Sequence, residues 1–170
     1  MIIIIMGVSG AGKTTIGQLL ARELGWPLFD GDDLHPPTNV EKMRRGIPLT
    51  DADREPWLRT LRELIERLSA EARSAVIACS ALKQSYRERL AAGLPDMRFV
   101  YLHGDPALIR QRLTQRHGHF MPAELLQSQL EALEAPQDAI VVDVAAPPEA
   151  IVAQIKRALI SAATNTPAKQ

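Results

Sequence analysis

A single cysteine, Cys79, in 170 residues leaves no partner for an internal disulfide and too few thiols for a cysteine-ligated zinc site. Aromatic residues make up only 4%, which disfavours a surface that stacks single-stranded bases. Neither sign of charge is in excess: 20 Lys and Arg are matched by 20 Asp and Glu. A protein built to grip nucleic-acid phosphates would carry a basic surplus. No apolar run reaches the roughly 18 residues that a membrane span needs. The run from Met1 to Met6 is too short for a signal peptide, lacks a basic flank and leads into glycines and Lys13. These absences exclude a nucleic-acid binder and a membrane protein. Together they lead us to expect a cytoplasmic protein.

What is present suits an ordinary globular domain, with 46% hydrophobic and 24% charged residues. The length allows one domain, expected over 1–163, with a short polar tail at 164–170 expected to fray. Short apolar runs alternate with amphipathic stretches, the pattern of a parallel sheet covered on both faces. Strands are predicted at 2–6, 27–30, 74–79, 98–102 and 140–143. Helices are predicted at 13–24, 83–92, 105–116, 122–133 and 147–161, with a short one near 39–45. Another carries Trp57, Leu61, Leu64, Ile65 and Leu68 as an apolar stripe, with Pro56 in its first turn. Between Gly31 and Asp53 the periodicity fails, and a connection of that length points to function.

The string Gly7-Val8-Ser9-Gly10-Ala11-Gly12-Lys13-Thr14 satisfies G-x-x-x-x-G-K-[ST], with a buried strand before it and a helix after it. Each residue type has its reason. Glycines let backbone N–H groups turn inward around phosphate oxygens, and the helix N-terminus adds partial positive charge. Lys13 reaches the outer phosphates, and the Thr14 hydroxyl can ligate Mg²⁺. The candidate ATP contacts are therefore Gly7, Ser9, Gly10, Ala11, Gly12, Lys13, Thr14 and Thr15.

The second strand ends in Asp30-Gly31-Asp32-Asp33-Leu34-His35, beside the phosphate loop if the strands are neighbours. Carboxylates at the C-terminal edge of a parallel strand face the active crevice. Asp30 suits Mg²⁺, through a water, because that ion keeps much of its hydration shell. Asp32 suits an acceptor hydroxyl, either orienting it or taking its proton. Asp-Gly is also a common solvated turn, and only the neighbouring phosphate loop favours the functional reading.

The segment Asp30 to Pro37, then Asn39, Lys42-Met43, Gly46 to Asp51, Asp53-Arg54 and Pro56-Trp57-Leu58, resembles the gluconokinase family. So do Ala78 to Lys83 with Tyr86-Arg87, and Gly118 to Pro122 with Ser128-Gln129. The likeness runs in order from Gly7 to about Pro136, with small departures at Ala11, Thr14-Thr15 and His117. It implies an α/β three-layer P-loop kinase fold: a five-stranded parallel sheet in the order 2-3-1-4-5, helices on both faces and a mobile lid near 112–122. It also implies transfer of phosphate from ATP to the 6-hydroxyl of D-gluconate, and a homodimer.

Gluconate has several hydroxyls and one carboxylate, so its site needs hydrogen-bonding groups and a cation. Asp32 and His35 supply the former. Arg54 and Lys83, matching family positions beside the acceptor, are the preferred cations, with Lys42 and Arg87 as second choices. Arg45 reads equally well as a surface charge. By analogy with related kinases, Arg112 and Arg116, four apart on a helix, would meet ATP as the lid closes. Arg116 would place charge on the phosphates or stack on adenine. His117 and His119 lack a third ligand, so zinc is rejected. Cys79 and Trp57 read as core. Two other readings remain: a related kinase for a different hydroxy acid, such as a shikimate-type enzyme, and an ATP-dependent switch acting on a partner.

Overall fold

The first strand, β1 (Ile2–Met6), is buried along its whole length, as a central parallel strand must be. Our computed structural model describes residues 1–115 and 125–164, with side chains as far as 161. In chain order the other strands are β2 (Leu28–Asp30), β3 (Ala75–Ala78), β4 (Met97–His103) and β5 (Ile140–Asp143). The helices are α1 (Lys13–Leu24), α2 (Pro37–Arg44), α3 (Asp51–Ala70), α4 (Gln84–Ala91), α5 (Pro106–Gln115), α6 (Leu125–Ala132) and α7 (Pro148–Thr164).

All strand pairs are parallel, and the five-stranded sheet runs β2-β3-β1-β4-β5. This is the expected order, but it sets β3 between β2 and β1, so the strand ending in Asp30 is not the neighbour of the phosphate-loop strand. The two-residue alternation of β1 divides the protein into layers. Ile3 and Ile5 enter one core with Leu20 of α1, Leu126 of α6 and Ile155 of α7. Ile2, Ile4 and Met6 enter the other with Leu61 and Ile65 of α3 and Leu90 of α4. Burying such side chains contributes about 1.5–3 kcal/mol each before chain entropy is counted. Among the described residues no helix is long and apolar enough to cross a membrane.

Two boundaries differ from expectation. α3 begins at Asp51 rather than near Pro56, because Thr50 and Asp53 form a reciprocal capping box. Pro56 therefore lies inside the helix, costing one backbone hydrogen bond that the cap and the buried stripe outweigh. The long irregular excursion resolves into a 3-10 turn (Gly31–Leu34), α2 and a short loop before α3. Asp30 caps that turn, its Oδ1 accepting from the Asp32 N–H at 3.1 Å. α7 continues to Thr164, so helix occupies the first position of the expected tail; residues 165–170 lie outside the described residues.

Candidate active site

The loop after β1 is shaped by its glycines. Gly10 has φ +83, and a Cβ there would sit 2.6 Å from the Leu113 Cγ and 3.0 Å from the Ile109 carbonyl oxygen of α5. Only glycine permits both that conformation and that approach. Gly12 has φ +95, and the space where its Cβ would project is open, leaving room beside the backbone for a phosphate. α1 begins immediately after it, so the helix N-terminus faces the same space. The Lys13 Nζ donates to the Val8 carbonyl at 3.2 Å.

This loop borders a cleft of about 440 Å³ that also touches Asp32, Arg112 and Gln115, with Val144, Ala146, Pro148 and Ile151 as an apolar wall. Arg112 is tied to that wall, donating to the Val144 carbonyl at 2.8 Å. Thr15 lies on the open side of the cleft. Gly7 stands just behind, its N–H donating to the Ser80 carbonyl at 3.3 Å. The Thr14 hydroxyl donates to the Asp30 Oδ2 at 2.9 Å. A hydroxyl and a carboxylate converging beside a phosphate cradle fit Mg²⁺, which takes oxygen ligands and completes its shell with water and phosphate. Among the described residues no cluster of three or more His, Cys, Asp or Glu offers a metal site made of protein alone.

A second, smaller cavity of about 30 Å³ adjoins the first. Asp32, His35 and Arg54 line it, with Ser80, Ser128 and Gln129. Met43, Leu49 and Leu125 pack together across it as a small apolar cover. Ser9, Lys13 and Asp32 are the residues that border both cavities. That junction is where a group could pass from one to the other.

The other expected cations are used differently. Lys42 bonds the Asp53 Oδ1 at 2.6 Å, and Lys83 holds both oxygens of Asp51 at 2.7 and 2.8 Å. The Tyr86 hydroxyl donates to the same Asp51. Neither lysine borders either cavity. Arg87 is 6% exposed and donates to the carbonyls of Ala81 and Leu82, both at 2.9 Å. It is bound to backbone and does not border the smaller cavity; there it supports the turn where Ala81 has φ +42. Arg45 is exposed. Arg54 is the expected cation that reaches the smaller cavity, its side chain 17% exposed and 3.9 Å from Asp51. Arg116, His117 and His119, with the expected lid beyond Gln115, lie outside the described residues.

Three contributors were visible in the sequence only as part of the family likeness. Gln129, 9% exposed on α6, accepts the Ser9 N–H at 2.7 Å and donates to the Ser9 hydroxyl at 3.3 Å. Trp57 is core, as its spacing predicts, yet its Nε1–H donates to the Gly31 carbonyl at 2.7 Å and its indole stacks on His35. Asn39 is buried and donates to the Asp53 carbonyl at 2.7 Å. Burial, and then the Arg54 charge, lower the His35 pKa to about 4, so the ring is neutral at physiological pH. Burial also pushes the Cys79 thiol up to about 12, consistent with an inert core residue.

A family profile described as shikimate kinase matches residues 9–160. A gluconokinase from Gluconobacter oxydans is 50% identical over 136 residues, covering 80% of this chain and 76% of its own. A probable gluconokinase from Xenopus tropicalis is 45% identical over 174 residues, covering 92% of each chain. The chain belongs to the gluconokinase family. A crystal structure of a gluconokinase from Sinorhizobium meliloti superposes with a TM-score of 0.84 at 47% identity, covering 96% of this chain and 93% of that one. The expected fold and family are borne out. Within this gluconokinase-family chain, the segment from Gly7 to Thr14 keeps the G-x-x-x-x-G-K-[ST] pattern between β1 and α1.

The carboxylates that bind the lysines make one region sensitive to acid. Asp53 is lowered to about 2, first by its bond from Lys42 and then by the backbone and hydroxyl of Thr50. A folded pKa below the unfolded value near 3.8 stabilises the fold above that value, and the stabilisation fades as pH falls toward 2. Asp53→Asn is expected to lower Tm by a few degrees at pH 7, with the difference closing between pH 4 and pH 2. Thermal melts by circular dichroism across that range check it. A difference of constant size would assign the effect to packing instead of charge.

Proposed function

We propose that this chain transfers the γ-phosphoryl group of ATP to the 6-hydroxyl of D-gluconate, forming 6-phospho-D-gluconate and ADP. The observation that carries the reading is the meeting of the two cavities at Ser9, Lys13 and Asp32. The larger cleft suits ATP: the loop amides and Lys13 face the phosphates, and the apolar wall from Val144 to Ile151 suits adenine. The smaller cavity suits a hydroxylated acid. Arg54 is the candidate partner for the carboxylate, and His35, Ser80 and Ser128 are candidates for hydroxyls.

In this mechanism Asp32 accepts a hydrogen bond from the 6-hydroxyl and aims its oxygen at the γ-phosphorus. A bond forms between that oxygen and phosphorus as the bond to the β-phosphate oxygen breaks. The hydroxyl proton passes to the Asp32 carboxylate and then to water, and ADP leaves. No covalent enzyme intermediate is needed, and catalysis is mostly positioning and electrostatic stabilisation. Thr14 and Asp30 are the residues that would hold Mg²⁺, which offsets phosphate charge when bound. Arg112 and Arg116 are the proposed lid contacts to ATP. The small cavity has room for only a water or two. In this reading Met43, Leu49 and Leu125 shift as gluconate enters. We further propose a homodimer working in the cytoplasm, as one domain over 1–163; sedimentation equilibrium gives the oligomer.

ADP release from ATP and Mg²⁺ tests the reading, with D-gluconate compared against no acceptor, shikimate and glucose. A strong signal with gluconate alone is expected. A preference for shikimate would transfer the chain to another acceptor class. Nucleotide binding without acceptor-dependent turnover would favour a switch.

A further inference from the structure

We propose that His35 enters the acceptor cavity as a neutral Nε2–H donor, its tautomer set by Asn39 and its ring plane set by Trp57. The backbone carbonyl oxygen of Asp53 can only accept, so the Asn39 atom 2.7 Å from it is the amide nitrogen and not the amide oxygen. That NH₂ group has a second hydrogen. The His35 Nδ1 lies 3.5 Å away, a long bond in the right place. An amide nitrogen cannot accept, so this contact is favourable only when Nδ1 is the bare ring nitrogen. The proton therefore sits on Nε2.

The ring is also held by stacking, and its stacking partner is itself fixed. The Trp57 indole, 1% exposed, stacks on the imidazole with centroids 4.5 Å apart and planes 10° from parallel. Trp57 is itself fixed by its bond to the Gly31 carbonyl. The charged groups lining the cavity are Lys13 of α1, Asp32 of the 3-10 turn and Arg54 of α3. α2 and α6 contribute Met43, Leu125, Ser128 and Gln129, all uncharged. Burial and Arg54 oppose the imidazolium form.

His35 therefore offers one directed hydrogen and no charge. It selects an oxygen lone pair at a fixed place, while Arg54 supplies the charge that a carboxylate needs. Asn39 and Trp57 act as positioning residues through the His35 ring, and Trp57 also borders the cavity. That the oxygen belongs to gluconate rests on the phosphotransfer reading above; the tautomer does not.

Nitrogen-15 NMR of the imidazole rings tests the tautomer without substrate. The chain has four histidines, and the His35 signal is identified by its loss in His35→Gln. The expected spectrum at pH 7 shows a protonated Nε2 and a bare Nδ1, unchanged down to pH 5. Asn39→Ala is expected to give a mixed tautomer, with the backbone amide spectrum confirming the fold. An Nδ1–H tautomer or an imidazolium in the parent protein would overturn the proposal.

Kinetics test the donor. The amide nitrogen of Gln falls near Nε2 and that of Asn near Nδ1. His35→Gln is expected to raise KM for gluconate by up to about 10-fold and His35→Asn by about 100-fold, with KM for ATP moving little. Equal losses in the two variants would remove the Nε2 donor from recognition. Should the parent protein not phosphorylate gluconate, the functional reading falls while the NMR result still decides the tautomer.

Discussion

Lys13→Ala is expected to lower turnover by at least about 10³-fold, with a smaller loss of nucleotide affinity. Lys13 borders both cavities, so its ammonium stands where charge would shift as phosphate moves from one to the other. The backbone amides of the loop remain in the variant and continue to hold phosphate oxygens. Binding is then weakened, while stabilisation of the transferring group is lost. Single-turnover ADP formation, beside nucleotide titration by calorimetry, separates the two effects. Lys156→Ala, which removes a surface pair with Glu23, is the control. A Lys13→Ala protein within about 10-fold of the parent rate would dismiss the proposed role of Lys13.

Asp32→Asn is the second large effect. The amide keeps the shape of the side chain but cannot take a proton, so kcat is expected to fall about 10²- to 10⁴-fold. Nucleotide affinity should change by less than about 3-fold, because the loop and Lys13 are untouched. The comparison is kcat against the nucleotide dissociation constant in one preparation. Asp32 borders both cavities and is fixed from both sides along the chain. Its N–H donates to Asp30, and its carbonyl accepts the His35 N–H at 3.3 Å. A variant with nearly normal turnover would remove Asp32 from the chemistry. One with equal losses in rate and nucleotide affinity would make it part of the nucleotide site.

The nucleotide side was legible because its parts are contiguous. An apolar strand, a glycine turn, Lys13 and a helix follow one another, and backbone geometry alone brings their N–H groups together. The smaller cavity, the proposed acceptor side, is assembled from the turn after β2, the first turn of α3, Ser80 and α6. Its residues were visible as a family likeness, but their partners were not. Lys42 finds its carboxylate 11 positions away and Lys83 finds one 32 positions away. Arg87 turns back to its own neighbouring carbonyls. A cation in a sequence carries no mark of the group that will neutralise it.

By itself, then, the sequence determined the layers, the strand runs and the phosphate loop, since these depend on short-range periodicity and local backbone freedom. The sheet order and the substrate class were implied by likeness to known kinases. Only the tertiary structure decided which expected cations border the acceptor cavity, that Gln129 reaches Ser9 across 120 positions, and that Trp57 and Asn39 hold His35. The physical reason is that a hydrogen bond or ion pair depends on distance and direction in space. Those follow from how α2, α3 and α6 pack around the end of the sheet, which no local pattern encodes.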